Sequence, residues 1–218
     1  MNLQAMNTRI HKKIIYPLPA TTLSKTQLQE VTDHLYSSSS SKCGIVQTFP
    51  IRFRTLLNYM FGLGLPDLYA EMQIGKLKEL IKHGMPKSVL GNQMQYGLEM
   101  MQIMTGVPEL ILNYNYQKYS HLMEDSWLTY LWRYISDEKL RIKGWKTILQ
   151  RQRENDEFIM KVLLNYGISK SELATLNKCW LYLQAVAISD IIANGDGTQI
   201  APIYVKGNLD SSRRSSLK

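Results

Sequence analysis

Residues 88–108 constrain the fold more than any other stretch. Ser88 is placed to cap a helix, Leu90, Met94, Leu98, Met101 and Met104 recur at three- and four-residue spacing, and Gly106 with Pro108 supplies the stop. That period puts the five side chains on one helical face, whereas a strand would scatter them over both. A stripe of this kind has to be covered, and a chain carrying several of them folds by packing helix on helix.

Several more follow. Ser24-Lys-Thr-Gln27 is a capping box, in which hydroxyl and amide satisfy each other's backbone donors, and it leads into Leu28, Val31 and Leu35. Leu68, Met72, Leu77 and Ile81 form a second stripe that Gly84 and Pro86 end, and Trp127, Leu128, Leu131, Trp132 and Ile135 form another. Asn155 is placed to cap a helix with Asp156 and Glu157 in its first turn, Phe158, Val162, Leu163 and Tyr166 on its face and Gly167 as its stop. A second box, Ser169-Lys-Ser-Glu172, precedes Leu173, Leu176, Trp180, Leu183, Ala187 and Ile191.

The interruptions are equally readable. Five consecutive serines predict a loop over residues 37–47, while Phe49-Pro50-Ile51 and Gly62-Leu-Gly-Leu-Pro66 predict extended or irregular chain. The expected fold is mainly α, a multi-helix, bundle-like array with a short irregular N-terminal part. Its expected divisions are an N-terminal segment with a Ser-rich loop over residues 1–66, a helical domain over 67–205 and a disordered tail over 206–218.

Hydrophobic residues at 44% and charged residues at 20% supply a core and exclude the charge-dense composition of a disordered chain. Cys43 and Cys179 lie far apart, in neither a disulfide framework nor a C-x-x-C pair. The N-terminus is polar, and no apolar run approaches the roughly 20 residues that span a bilayer. A soluble intracellular protein, cytoplasmic or nuclear and without membrane contact, is expected.

No catalytic constellation emerges. His11, His34, His83 and His121 are scattered and read as surface or locally bonded residues. Gly62-Leu-Gly64 lacks the third glycine of a dinucleotide loop, no G-K-[ST] ends a P-loop, and Asp196 between two glycines reads as a turn. No two aspartates are adjacent, which excludes the Asp-Asp pair of a polymerase metal site. Neither a metal nor a cofactor is expected.

Charge gives the one binding lead. The chain has 26 Lys+Arg against 18 Asp+Glu, a net +8, which favours a polyanionic partner. The excess clusters: Lys139, Arg141, Lys143, Lys146, Arg151 and Arg153 occur around Trp145 with no acid among them. Cations neutralise a single-stranded backbone and an aromatic stacks on its bases, so RNA or single-stranded DNA is the candidate ligand. A solvated linker between two helices has the same composition. In the tail, Arg213-Arg-Ser-Ser216 has the pattern of a substrate for kinases that prefer basic residues.

Read in order, Ile15-Tyr-Pro-Leu18, Thr22-Leu-Ser-Lys-Thr-Gln27, Phe49-Pro50 and Gly62-Leu-Gly-Leu-Pro-Asp-Leu68 resemble the segment after the palm in non-LTR-type retrotransposon reverse transcriptases. Asp125-Ser-Trp127, Arg151-Gln-Arg-Glu-Asn-Asp156 and Leu176-Asn-Lys-Cys-Trp-Leu-Tyr-Leu-Gln184 resemble the helical region downstream of the polymerase in such elements from protists. The likeness covers residues 12–200. It departs where Phe-Pro-Ile replaces the family's Phe-Pro-Arg and where Phe61-Gly62 replaces a double glycine. The resemblance implies a noncatalytic thumb-and-connection-like fragment that starts at an internal methionine, contacts template nucleic acid and partners the polymerase domain of a parent polyprotein. It supplies no catalytic residue, because fingers, palm and the metal-binding aspartates are missing. Two alternatives stay open at this point: a helical protein-interaction module using the Met-rich stripe or the Trp127–Trp132 helix, and a retroelement relic without function.

Overall fold

A computed structural model describes residues 11–40, 44, 46, 50–56, 60, 62–84, 88–145 and 156–192. Those residues are mainly helical, as expected. In chain order the helices are α1 (His11–Ile15), α2 (Lys25–Ser40), α3 (Ile51–Thr55), α4 (Leu68–His83), α5 (Val89–Thr105), α6 (Tyr116–Tyr119), α7 (Trp127–Asp137), α8 (Ile159–Asn165), α9 (Lys170–Leu183) and α10 (Ile188–Ile191). Short 3-10 turns over Leu18–Ala20, Ile111–Asn113 and Ser120–Leu122 join some of them. An isolated antiparallel β-bridge pairs Phe158 with Ala187. No described helix is long and apolar enough to cross a membrane. The chain divides into two compact units, residues 1–91 and 92–218.

In the first unit the caps form as the sequence predicts. Ser24 N–H donates to Gln27 Oε1 at 2.9 Å and Gln27 N–H to Ser24 Oγ at 3.2 Å, closing the box at the start of α2. Asp67 caps α4 by accepting from the N–H groups of Tyr69 and Ala70. Leu68 and Met72 then pack with Leu18 and Leu28. Gly75 belongs to the same contact, since a Cβ there would sit 2.4 Å from the Pro19 ring.

Three local expectations change. α2 runs through the serines to Ser40 rather than ending at residue 37. Its last turns are held by Tyr36, buried with its hydroxyl donating to Pro66 O at 2.8 Å, and Ser37 Oγ returns to His34 O instead of opening a turn. α3 forms directly after Pro50, where a proline ahead of the first helical residue is tolerated. His11, expected at the surface or locally bonded, is buried, its ring edge-on to Tyr36 at 5.6 Å.

The apolar stripes are also rotated from their expected positions. On α2, Val31 is exposed and Thr32 is buried in its place, its hydroxyl donating to Leu28 O. On α4, Ile81 is 61% exposed while Gln73, Lys76 and Leu80 are fully buried. Neither amide atom of Gln73 has a hydrogen-bond partner, a cost of about 1–3 kcal/mol per group.

Burial holds the Lys76 ammonium down to a pKa of about 8. Between that pH and the ordinary lysine value the unfolded chain keeps a proton that the folded chain has released, so stability rises with pH across the window. Burial, first, and the nearby Asp67 carboxylate push the Tyr36 hydroxyl well above its ordinary value, so above pH ~10 the unfolded chain loses a proton that the folded chain keeps and stability falls again. Urea unfolding followed by circular dichroism from pH 7 to 11 should therefore show a maximum near pH 10. Lys76→Met should raise stability at pH 7 and abolish the rise; an unchanged pH profile would show that Lys76 does not titrate on unfolding.

Candidate nucleic-acid interface

The described candidate residues lie in the second unit, and the geometry around them begins with α7. Ser126 caps this helix, accepting from Thr129 N–H at 3.2 Å, while Thr129 Oγ1 accepts from Ser126 N–H at 2.7 Å. Leu128, Leu131, Trp132 and Ile135 form the buried face that the sequence predicts. Trp132 is fully buried; Trp127 is only half-buried. The Trp132 indole lies 5.2 Å from the Tyr116 ring, edge-on, and 6.4 Å from Tyr119, stacked. Its N–H donates to Tyr114 O at 2.8 Å, which answers the one polar demand of a buried indole.

That bond holds the chain next to Asn113. The Asn113 side chain accepts from Ile142 N–H at 2.8 Å and donates to Ile142 O at 3.0 Å. An asparagine amide here does what a neighbouring strand does, satisfying both backbone groups of one residue. Ser136 Oγ on α7 accepts from Tyr116 N–H at 3.1 Å and closes the same corner.

α7 ends in a left-handed turn. Lys139 N–H donates to Ser136 O at 3.2 Å and Leu140 N–H to Ile135 O at 2.9 Å, the two bonds of a Schellman motif. The residue at the left-handed position is Lys139, with φ 53°, where glycine is usual. Beyond it Arg141 and Lys143 are exposed, Ile142 and Trp145 half-buried, and Gly144 has a positive φ. None of the three cations forms a salt bridge. Of the seven residues the sequence nominates, the described ones are Lys139, Arg141, Lys143 and Trp145, which follow one another along the chain leaving α7. Lys146, Arg151 and Arg153 lie outside the described residues, as do Cys43, Asn155, Asp196 and the tail motif.

Residues that sequence patterns missed frame the same corner. Arg133 on α7 stands 6.0 Å from the Tyr116 ring centroid, and Lys118 on α6 stands 5.1 Å from that of Tyr119, both cations exposed. Asn113 carried no signal beyond its position one residue ahead of an Asn- and Tyr-rich connector. Acids oppose this charge locally, since Asp137 and Glu138 end α7 immediately before Lys139.

The chain returns at Asp156. It does not sit in the first turn of α8, whose N-cap is Phe158 without a side-chain bond. Asp156 is buried and accepts from both the backbone N–H and the hydroxyl of Ser189, locking it to α10. Ile159 N–H to Val186 O and Ile188 N–H to Glu157 O extend that junction around the Phe158–Ala187 bridge. Phe158, Ile159 and Met160 are buried, whereas Tyr166 is 77% exposed, so the buried face of α8 begins earlier than its spacing predicted. The capping box of α9 forms between Ser169 and Glu172, and Cys179 is buried on that helix.

Among the described residues no three His, Cys, Asp or Glu side chains come close enough to hold a metal ion. Comparison with family models, with curated proteins and with solved structures finds no match.

The Lys139 turn gives a sharp expectation. A left-handed backbone costs a residue with a Cβ roughly 1–2 kcal/mol, and glycine avoids that cost. Lys139→Gly should be more stable than Lys139→Ala by about 1 kcal/mol in urea unfolding, the reverse of the order at an ordinary helical position. Equal stabilities would show that the turn has relaxed out of the left-handed region.

Proposed function

We propose that the chain is a noncatalytic, thumb-and-connection-like helical region of a retroelement reverse transcriptase that contacts single-stranded template nucleic acid. The observation that carries this reading is the run of exposed, unpaired cations Lys139, Arg141 and Lys143 beside the half-buried Trp145, at the end of a helix whose core residue organises the corner. Charge neutralisation supplies affinity without reading sequence, and an aromatic supplies stacking, which suits a surface that must accept any template. The ordered motifs from Ile15 to Gln184 support the retroelement assignment. In sequence Lys146, Arg151 and Arg153 belong to the same basic run.

The alternative of a protein-interaction module loses its best surfaces. Met94, Leu98 and Met101 on α5 and Trp132 on α7 are buried, which leaves Leu90 as the exposed member of the Met-rich stripe.

Binding of the full chain to a labelled single strand, measured against salt, tests the reading. Log affinity should fall with log salt at roughly −0.7 per phosphate neutralised. Reversing Arg141 and Lys143 to Glu should weaken binding for every sequence and flatten the slope. Trp145→Ala should cost about 1–3 kcal/mol of affinity with the slope retained, because stacking is not ionic. If the double reversal leaves affinity and slope unchanged, the basic segment is a solvated surface and the nucleic-acid assignment falls. The retroelement assignment has its own test, which is whether a polymerase palm is encoded together with this region.

A further inference from the structure

The basic arm after α7 is held by one side chain that carries no charge. Asn113 bonds both backbone groups of Ile142, at 2.8 and 3.0 Å, and Ile142 lies between the two exposed cations Arg141 and Lys143. Asn113 is itself fixed from behind, because its neighbour Tyr114 accepts the indole N–H of the fully buried Trp132. From the other side, the Schellman turn at Lys139 sets the direction in which the arm leaves α7.

We infer that Asn113 is a positioning residue for a single-stranded nucleic-acid interface, holding the backbone between Arg141 and Lys143 in one course so that both cations meet the phosphate backbone already ordered. This rests on the proposed nucleic-acid contact and adds the device that makes the contact efficient. The argument that carries it is entropic. Asn113 gives the part-buried backbone groups of Ile142 the partners that water would otherwise supply, and the same grip removes conformational freedom that a cationic arm would otherwise lose on binding; an interface ordered in advance binds more tightly with the same contacts. A turn residue held left-handed at Lys139, where glycine would be unstrained, agrees with a site in which a cation is kept at a backbone cost.

The test uses the full chain and a labelled oligothymidine of about 20 nucleotides, longer than a typical single-strand site, with an oligouridine of the same length as the RNA arm. Asn113→Ala should weaken binding roughly tenfold at every salt concentration while leaving the salt slope in place, since the same phosphates are still neutralised. In a background of Arg141→Gln and Lys143→Gln the Asn113 change should have little further effect, because there is no longer a cation pair to position. Wild-type protein that binds, responds to the two Gln changes and ignores Asn113→Ala would overturn the positioning role and leave the proposed function standing. Wild-type protein that binds neither oligonucleotide would overturn both. A measurement without any variant guards against misfolding: the Ile142 amide of the free wild-type protein should be protected from hydrogen exchange. An Ile142 amide exchanging at the rate of an unstructured chain would show that no arm is ordered in advance, and the inference would fail.

Discussion

A buried indole is a demanding core residue, because it removes a large apolar surface from water only if its single N–H finds an acceptor inside the protein. In the second unit Trp132 is that residue, and the acceptor is the carbonyl of Tyr114, in the connector between the 3-10 turn and α6. The consequence is geometric. Fixing the backbone at Tyr114 fixes Asn113 beside it, and Asn113 in turn fixes Ile142, beyond the C-terminal end of α7. Tyr116 and Tyr119 close over the indole, and Ser136 ties Tyr116 back to α7. The exposed corner is thus built outward from one core side chain by neutral hydrogen bonds, which salt does not screen as it screens surface ion pairs.

That construction leaves the cations unencumbered. Lys139, Arg141 and Lys143 have no structural duty as ion-pair partners. The acids Asp137 and Glu138 stand at a helix C-terminus, where the macrodipole already carries partial negative charge and further negative charge is unfavourable. Lys139 follows them directly and offsets that field. In the sequence beyond it no acid occurs up to residue 153.

Helical spacing and capping chemistry made most of the fold legible. The boxes at Ser24–Gln27 and Ser169–Glu172 and the cap at Ser88 rest on contacts between residues three apart, which a linear pattern contains in full. What was misread depends on partners distant in the chain. Tyr36 carries α2 into the serines because its hydroxyl reaches Pro66, thirty residues away, and Asp156 abandons α8 for Ser189, thirty-three residues away. The rotated face of α4 has the same origin: spacing alone does not tell Leu77 and Ile81 from Gln73 and Lys76, and packing reversed the preference that polarity suggests. At the candidate site the cations were legible as a charge run, whereas Asn113, a lone polar residue with no pattern around it, was not.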